Sequence, residues 1–163
     1  TALVKLQRPA PATCSFGSRI AVAGDTLVAG SFESGSPSYS GAAYVFFRET
    51  SEMWVQKQRL VASDRALGAF FSSAISFDGK TLLIGSNGAN GAARRTGAAY
   101  IYTLQAGQWA ETQKLIATDG AENDAFGKSV AVHGDTLVIG AYRDQDRGFN
   151  TGSAYIFSLE EDG

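Results

Sequence analysis

The chain has 163 residues, 14 basic against 16 acidic, and is 44% hydrophobic, which allows one domain of ordinary size. The near-neutral balance, with no run of Lys or Arg, excludes the electrostatic footprint of a nucleic-acid binder, and no stretch approaches the roughly 18 apolar residues of a membrane span. One Cys and one His exclude an internal disulfide, a Cys-based metal site and any site that needs two histidines.

In chain order, the start Thr1-Ala2-Leu3-Val4-Lys5 has neither an initiating Met nor a charged leader with an apolar region. It reads as a processed product or an excised piece, not a signal peptide. Leu3–Gln7 match the end of a strand that recurs as Gln58-Arg59-Leu60 and Gln113-Lys114-Leu115. From Phe16 onward the chain repeats itself, and the repeat decides the fold. Thr26-Leu27-Val28-Ala29-Gly30 returns as Thr81-Leu82-Leu83-Ile84-Gly85 and as Thr136-Leu137-Val138-Ile139-Gly140. Phe16, Phe71 and Phe126 keep the same spacing, as do Trp54 and Trp109. Gly41-Ala42-Ala43-Tyr44, Gly97-Ala98-Ala99-Tyr100 and Gly152-Ser153-Ala154-Tyr155 follow with one residue of slack.

Each copy predicts four strands: A over Ser18–Ala23, B over Thr26–Gly30, C over Ala42–Phe47 and D over Trp54–Val61, with their counterparts downstream. Val, Ile, Tyr, Phe and Thr fill them, as β-propensity favours. Gly24-Asp25, Gly79-Lys80 and Gly134-Asp135 form the A–B turns, because Gly accepts positive φ. No segment sustains a helical period. Strand B is apolar or tiny on both sides, so it is covered on both sides. Strand D, with Gln56, Lys57, Gln58 and Arg59, suits an outer edge guarded by charge. Polarity therefore rises from B to D, as in a sheet with a buried inner end. Four-stranded sheets stacked face to face are propeller blades.

The reading is an all-β single domain over 1–163. Its β-propeller blades fall at about 16–61, 71–116 and 126–158, with 3–7 as the strand that the last blade lacks. Twelve strands make three blades, too few for a ring of about four to eight. Each open end would expose roughly 300 Å², from four strands at about 4.8 Å and five residues at about 3.3 Å. Two ends give about 600 Å², worth at most ~15 kcal/mol at ~25 cal/mol per Å², and a soluble monomer does not leave that bare. Two copies making six blades, each donating Leu3–Leu6 to the other's Tyr155–Phe157 blade, is the preferred arrangement. A longer parent chain is the alternative.

Phe126-Gly127-Lys128-Ser129-Val130-Ala131-Val132, Gly140-Ala141-Tyr142 and Gly152-Ser153-Ala154-Tyr155-Ile156-Phe157 resemble the FG-GAP repeat of the integrin α-subunit propeller and of many bacterial secreted proteins. Phe16-Gly17 fits, whereas Phe71-Ser72 departs by one residue. The resemblance covers about residues 3–158. It implies an extracellular or cell-surface, non-enzymatic recognition or scaffold domain, some relatives being lectins and others adhesion modules. The integrin-type calcium loop between A and B is here only the two-residue turn. Ca²⁺ takes six to eight oxygens, so that site does not carry over, and no cofactor is expected.

Gly79-Lys80-Thr81 and Gly127-Lys128-Ser129 imitate the end of a P-loop, but Ala74 and Glu122 stand where its first Gly belongs. His133 and Asp135 lack a nucleophile elbow, and His133 replaces Ala23 and Asp78 beside a turn. Cys14 reads as buried filler. Trp54 and Trp109 are read as outer-layer packing, with sugar stacking as the alternative. The B–C loops 32–40, 87–96 and 142–151 differ most between copies, and variable loops on a fixed scaffold are where binding tends to live. The candidate binding residues are therefore Asp144, Asp146 and Asn150, an oxygen-rich spacing suited to a weak cation, and Arg94 with Arg95, suited to an acidic partner. The expected role is an assembly module for adhesion or for a fibre or coat. A carbohydrate-binding lectin is the alternative, and the partner is a second copy, other blades, a protein or a glycan.

Overall fold

The computed structural model describes residues 4–7, 15–33 and 39–159. Eleven strands among them form three antiparallel sheets. The first blade holds β1 (Ile20–Ala23), β2 (Thr26–Ser31), β3 (Ala42–Thr50) and β4 (Met53–Leu60), in that order. The second holds β5 (Phe71–Phe77), β6 (Thr81–Ser86), β7 (Ala98–Gln105) and β8 (Gln108–Leu115). The third holds β9 (Phe126–His133), β10 (Thr136–Ala141) and β11 (Ser153–Ser158). The predicted strands A to D are all present in the first two blades. Exposure, however, is lowest on the central strands of each sheet, two in the first and second and β10 in the third, and not at one end. β6 is buried throughout, while β1 and β4 are both half-wet edges.

The two faces of each central strand serve different neighbours, because side chains alternate along a strand. Val28, Ala43 and Val45 of the first blade meet Leu82, Ile84 and Tyr100 of the second in one core. Leu83, Ala99 and Ile101 on the other face of the second blade meet Leu137, Ile139 and Phe126 of the third. Each blade thus presents a front face to its predecessor and a back face to its successor.

The join between blades explains the repeated Phe and Gly. Gly41 forms a parallel bridge with Phe71, and Gly97 with Phe126. The Phe71 amide donates to the Ser40 carbonyl at 2.9 Å, and the Phe126 amide to the Thr96 carbonyl at 2.8 Å. A Cβ on Gly97 (φ +95°) would overlap the Phe126 carbonyl oxygen, and one on Gly41 that of Phe71. The Phe71 ring then packs edge-on against Tyr100 and Tyr102, and Phe126 against Tyr155 and Phe157. Ser72 departs from the repeat yet adopts φ +71°, beside +82° at Gly17 and +83° at Gly127. Its hydroxyl accepts the buried Ser31 amide of the first blade at 3.2 Å, which offsets the strain.

The amino-terminal strand expected at 3–7 is not in a ladder. Leu3 lies outside the described residues, as does Cys14, and Val4–Gln7 pair with no strand among the described residues. The twelve expected strands are therefore eleven among the described residues. Leu6 nevertheless packs on the front face of the first blade beside Ala29, Tyr44 and Phe46. That is the place Leu60 takes against the second blade and Leu115 against the third. Residues 4–7 sit where the last strand of a preceding blade would end.

Gly97→Ala combines a forbidden φ, costing about 1–2 kcal/mol, with a backbone overlap. It is expected to lower unfolding free energy by at least ~3 kcal/mol in urea titration. Gly107→Ala, in a hairpin with φ +80° and no atom within 4 Å of its Cβ, is expected to cost only about 1–2 kcal/mol.

Candidate functional site

Strand C of each blade carries a tyrosine whose hydroxyl meets a carboxylate. In the first blade Tyr44 donates to Glu33 Oε1 at 2.5 Å. Arg59, directly across the ladder from Tyr44, forms an ion pair with Glu33, and Arg65 reaches the same carboxylate at 3.0 Å. In the second blade Tyr100 donates to Asp64 Oδ1 at 2.6 Å. Lys114, directly across from Tyr100, sets its Nζ 2.6 Å from Asp64 Oδ2 and 5.9 Å from the Tyr100 ring centre. Burial, then the Asp64 bond, pushes the Tyr100 phenol well above its ordinary range. Burial also pushes the Asp64 carboxyl up, but the Lys114 and Tyr100 bonds outweigh it and hold it below the usual carboxylate range.

The third blade keeps the tyrosine and the acids without the cation. Tyr155 Oη lies 3.1 Å from Asp119 Oδ1 and 3.0 Å from Asp144 Oδ2. One O–H proton serves both carboxylates, and among the described residues no basic side chain lies within 4 Å of either. Asp144 is 2% exposed. The Asp146 amide, donating at 2.9 Å, does most to hold its carboxyl below the usual range, helped by Ser153 and Tyr155 against the opposing effect of burial. Asp124, 3% exposed, accepts the Ala121 amide at 2.6 Å on Oδ2, while its Oδ1 has no hydrogen-bond partner among the described residues. Burial first, then the charges of Asp144, Asp146 and Asp119, push the Asp124 carboxyl up. The arrangement is short of positive charge.

Of the residues predicted from sequence, Asp144 and Asp146 come together, but Asp144 is buried and faces Tyr155, not a loop ligand. Asn150, at φ +52°, stays exposed on the same loop. Arg94 and Arg95 lie exposed on the neighbouring B–C loop, where the Arg95 amide donates to Asn90 Oδ1 at 3.0 Å. No ion pair joins the two sets among the described residues, and no group of three or more His, Cys, Asp or Glu there is arranged to hold a metal ion. Trp109 is buried against Phe77 at 5.4 Å and its backbone is clamped by both amide atoms of Gln58. Trp54 lies half-buried under Arg48. Sequence reasoning missed Asp119, Asp124 and Tyr155. The repeat held the signal for two of them, since Tyr155 matches Tyr44 and Tyr100, and Asp119 follows Asp64 by the 55-residue period.

Beside the third blade runs an open groove of about 1180 Å³, lined by Ile101, Thr103 and Gln113 of the second blade and by Asp135, Ser158 and Leu159 of the third. Gln113 is the repeat counterpart of Gln58, the residue that clamps the outer strand of the next blade.

Because the folded state disfavours the Asp124 carboxylate, Asp124→Asn is expected to raise the thermal midpoint at pH 7 while keeping the Ala121 bond. As pH falls through the raised folded pKa, the wild-type carboxyl takes up its proton and the difference closes. Calorimetry from pH 7 downward measures this gap.

The FG-GAP repeat family matches residues 11–46, 54–102 and 109–157. No curated protein matches the chain. No helix among the described residues is long and apolar enough to cross a membrane. Each of the last two matched stretches runs from the outer strand of one blade to the third strand of the next, in step with the three sheets. The chain belongs to the FG-GAP repeat family, and its fold is a stack of three β-propeller-type blades.

Proposed function

We propose that the chain is a non-enzymatic, extracellular assembly module for adhesion or for a fibre or coat scaffold, with its stack completed by chain association. The observation that carries this reading is the state of the two end faces. Ile20 and Val22 on the front of the first blade are 69% and 62% exposed, and Ile156 on the back of the third is 74% exposed. Their repeat counterparts inside the stack are covered. Ile75, Phe77, Val130 and Val132 pack against a preceding blade, and Val45 and Ile101 against a following one. A side chain that is core in two copies and bare in the third marks an interface. The FG-GAP resemblance supports the extracellular setting. The use of Glu33, Asp64 and the strand C tyrosines in fixed structural pairs supports a role without catalysis.

A carbohydrate-binding role has its own support in the loop 142–151. There Tyr142 and Phe149 are exposed beside Asp146 and Asn150, and Arg143 stacks over the Tyr142 ring at 5.1 Å. Flat aromatic surface next to amide and carboxylate groups is the chemistry that holds a sugar.

Light scattering at micromolar concentration is expected to give a mass above one chain for the wild type and one chain for Ile156→Glu, with an unchanged fold by circular dichroism. A wild type of single-chain mass at every concentration overturns the assembly reading. On a glycan array, binding lost in Tyr142→Ala and Phe149→Ala would establish the lectin reading, and an array without binders removes it.

A further inference from the structure

The outer edge of β11 is unpaired among the described residues, and the earlier blades show what pairs there. In the first two blades the strand after C places a cation directly across from the tyrosine and a leucine across from the preceding alanine. The pairs are Tyr44 with Arg59 and Ala43 with Leu60, then Tyr100 with Lys114 and Ala99 with Leu115. On β11 the corresponding residues are Tyr155 and Ala154, paired on one side with Ile139 and Gly140. On the other side no strand among the described residues meets them. In the same register the chain offers one further basic-leucine pair, Lys5-Leu6, and Leu6 already occupies the outer-strand position against the first blade.

We propose that the edge of β11 accepts the amino-terminal segment of a second copy, in antiparallel register with Lys5 of that copy across from Tyr155 and Leu6 across from Ala154. The Lys5 ammonium then supplies to Asp119 and Asp144 the charge that Lys114 supplies to Asp64. This deepens the assembly reading above and rests on it.

The segment need not leave its own blade to do this. Residues that end an outer strand lie between two blades, bonded to one and packed on the next, as Leu60 and Leu115 do. Val4–Gln7 hold the packing half of that pair of contacts on their own first blade, and the third blade of another copy supplies the ladder half. The same stacking brings Gly152 of one copy toward Phe16 of the other. Gly152 has φ +72°, like Gly41 and Gly97, but no following Phe against it. Two copies joined at both ends also cover the exposed Ile20, Val22 and Ile156 of each. Six blades also fall within the range that closes a propeller.

Sedimentation velocity on the full chain tests the assignment. Lys5→Glu is expected to weaken dimerisation at least tenfold with an unchanged thermal midpoint at single-chain concentrations, because Lys5 is exposed in the single chain. Lys5→Arg is expected to dimerise like the wild type, and Lys5→Asp combined with Asp119→Lys is expected to restore what Lys5→Asp loses. A peptide of residues 108–116, whose Lys114 provides the same cation, is expected to compete for the edge of β11 and to fail as its Lys114→Glu version. If the Lys5 variants sediment as the wild type does, the second-copy strand is overturned, whether or not the peptide binds. A peptide that still binds then assigns the edge to a strand from elsewhere, such as one following β11 in the same polypeptide. An Ile156→Glu chain that falls apart while the Lys5 variants do not leaves the assembly reading standing and removes this one.

Discussion

The contact on which the stack depends is a backbone contact between blades. At Gly41 and Gly97 the chain comes so close to the Phe of the next blade that no side chain fits, and the two segments bridge as parallel strands. Buried backbone groups must find partners, and here the Phe amide finds a carbonyl one blade away. Close approach also sets the spacing at which the front and back faces interdigitate. The phenylalanine ring is thereby delivered into its own blade's core against two aromatic side chains. The family's sequence signature is thus a geometric requirement for joining one sheet to the next, and its glycine and phenylalanine are halves of one contact on different blades.

Around that join the polar groups follow a second rule. A tyrosine hydroxyl held largely away from water needs an acceptor, the carboxylate that accepts from it carries a charge, and the outer strand supplies the cation that balances the pair. The first and second blades meet the rule with different residues, an arginine pair on Glu33 in one and a lysine on Asp64 in the other. The carboxylate can come from a B–C loop or from the loop that leads out of the preceding blade. The electrostatic balance is kept while the sequence positions move.

That freedom separates what could be read from the sequence from what could not. The strands, their order within a blade and the alternation of faces follow from local period and turn chemistry, so Thr26–Ser31 and its copies lie where the repeat puts them. Burial across the sheet was harder to read. Strand A has an apolar face in every copy, yet Ile20 is exposed and Ile75 is packed, because the difference lies in the neighbour and not in the residue. The oxygen-rich run at Asp144, Asp146 and Asn150 was legible as composition only. The chain folds Asp144 inward, since its carboxylate collects the Asp146 amide and the Tyr155 hydroxyl. Asp119 and Asp124 reach the same place from a loop 25 and 20 residues earlier.

The join between blades has a direction: the glycine always belongs to the earlier blade and the phenylalanine to the later one. A surface built this way is not self-complementary, so identical molecules meet through unlike patches and every contact leaves one patch of each kind unsatisfied until the circuit closes. The rotation accumulated per molecule therefore decides the outcome. A rotation that divides the circle gives a finite particle, and a small departure from it, of the sort one altered turn between sheets would introduce, converts the same chemistry into an indefinitely growing helix.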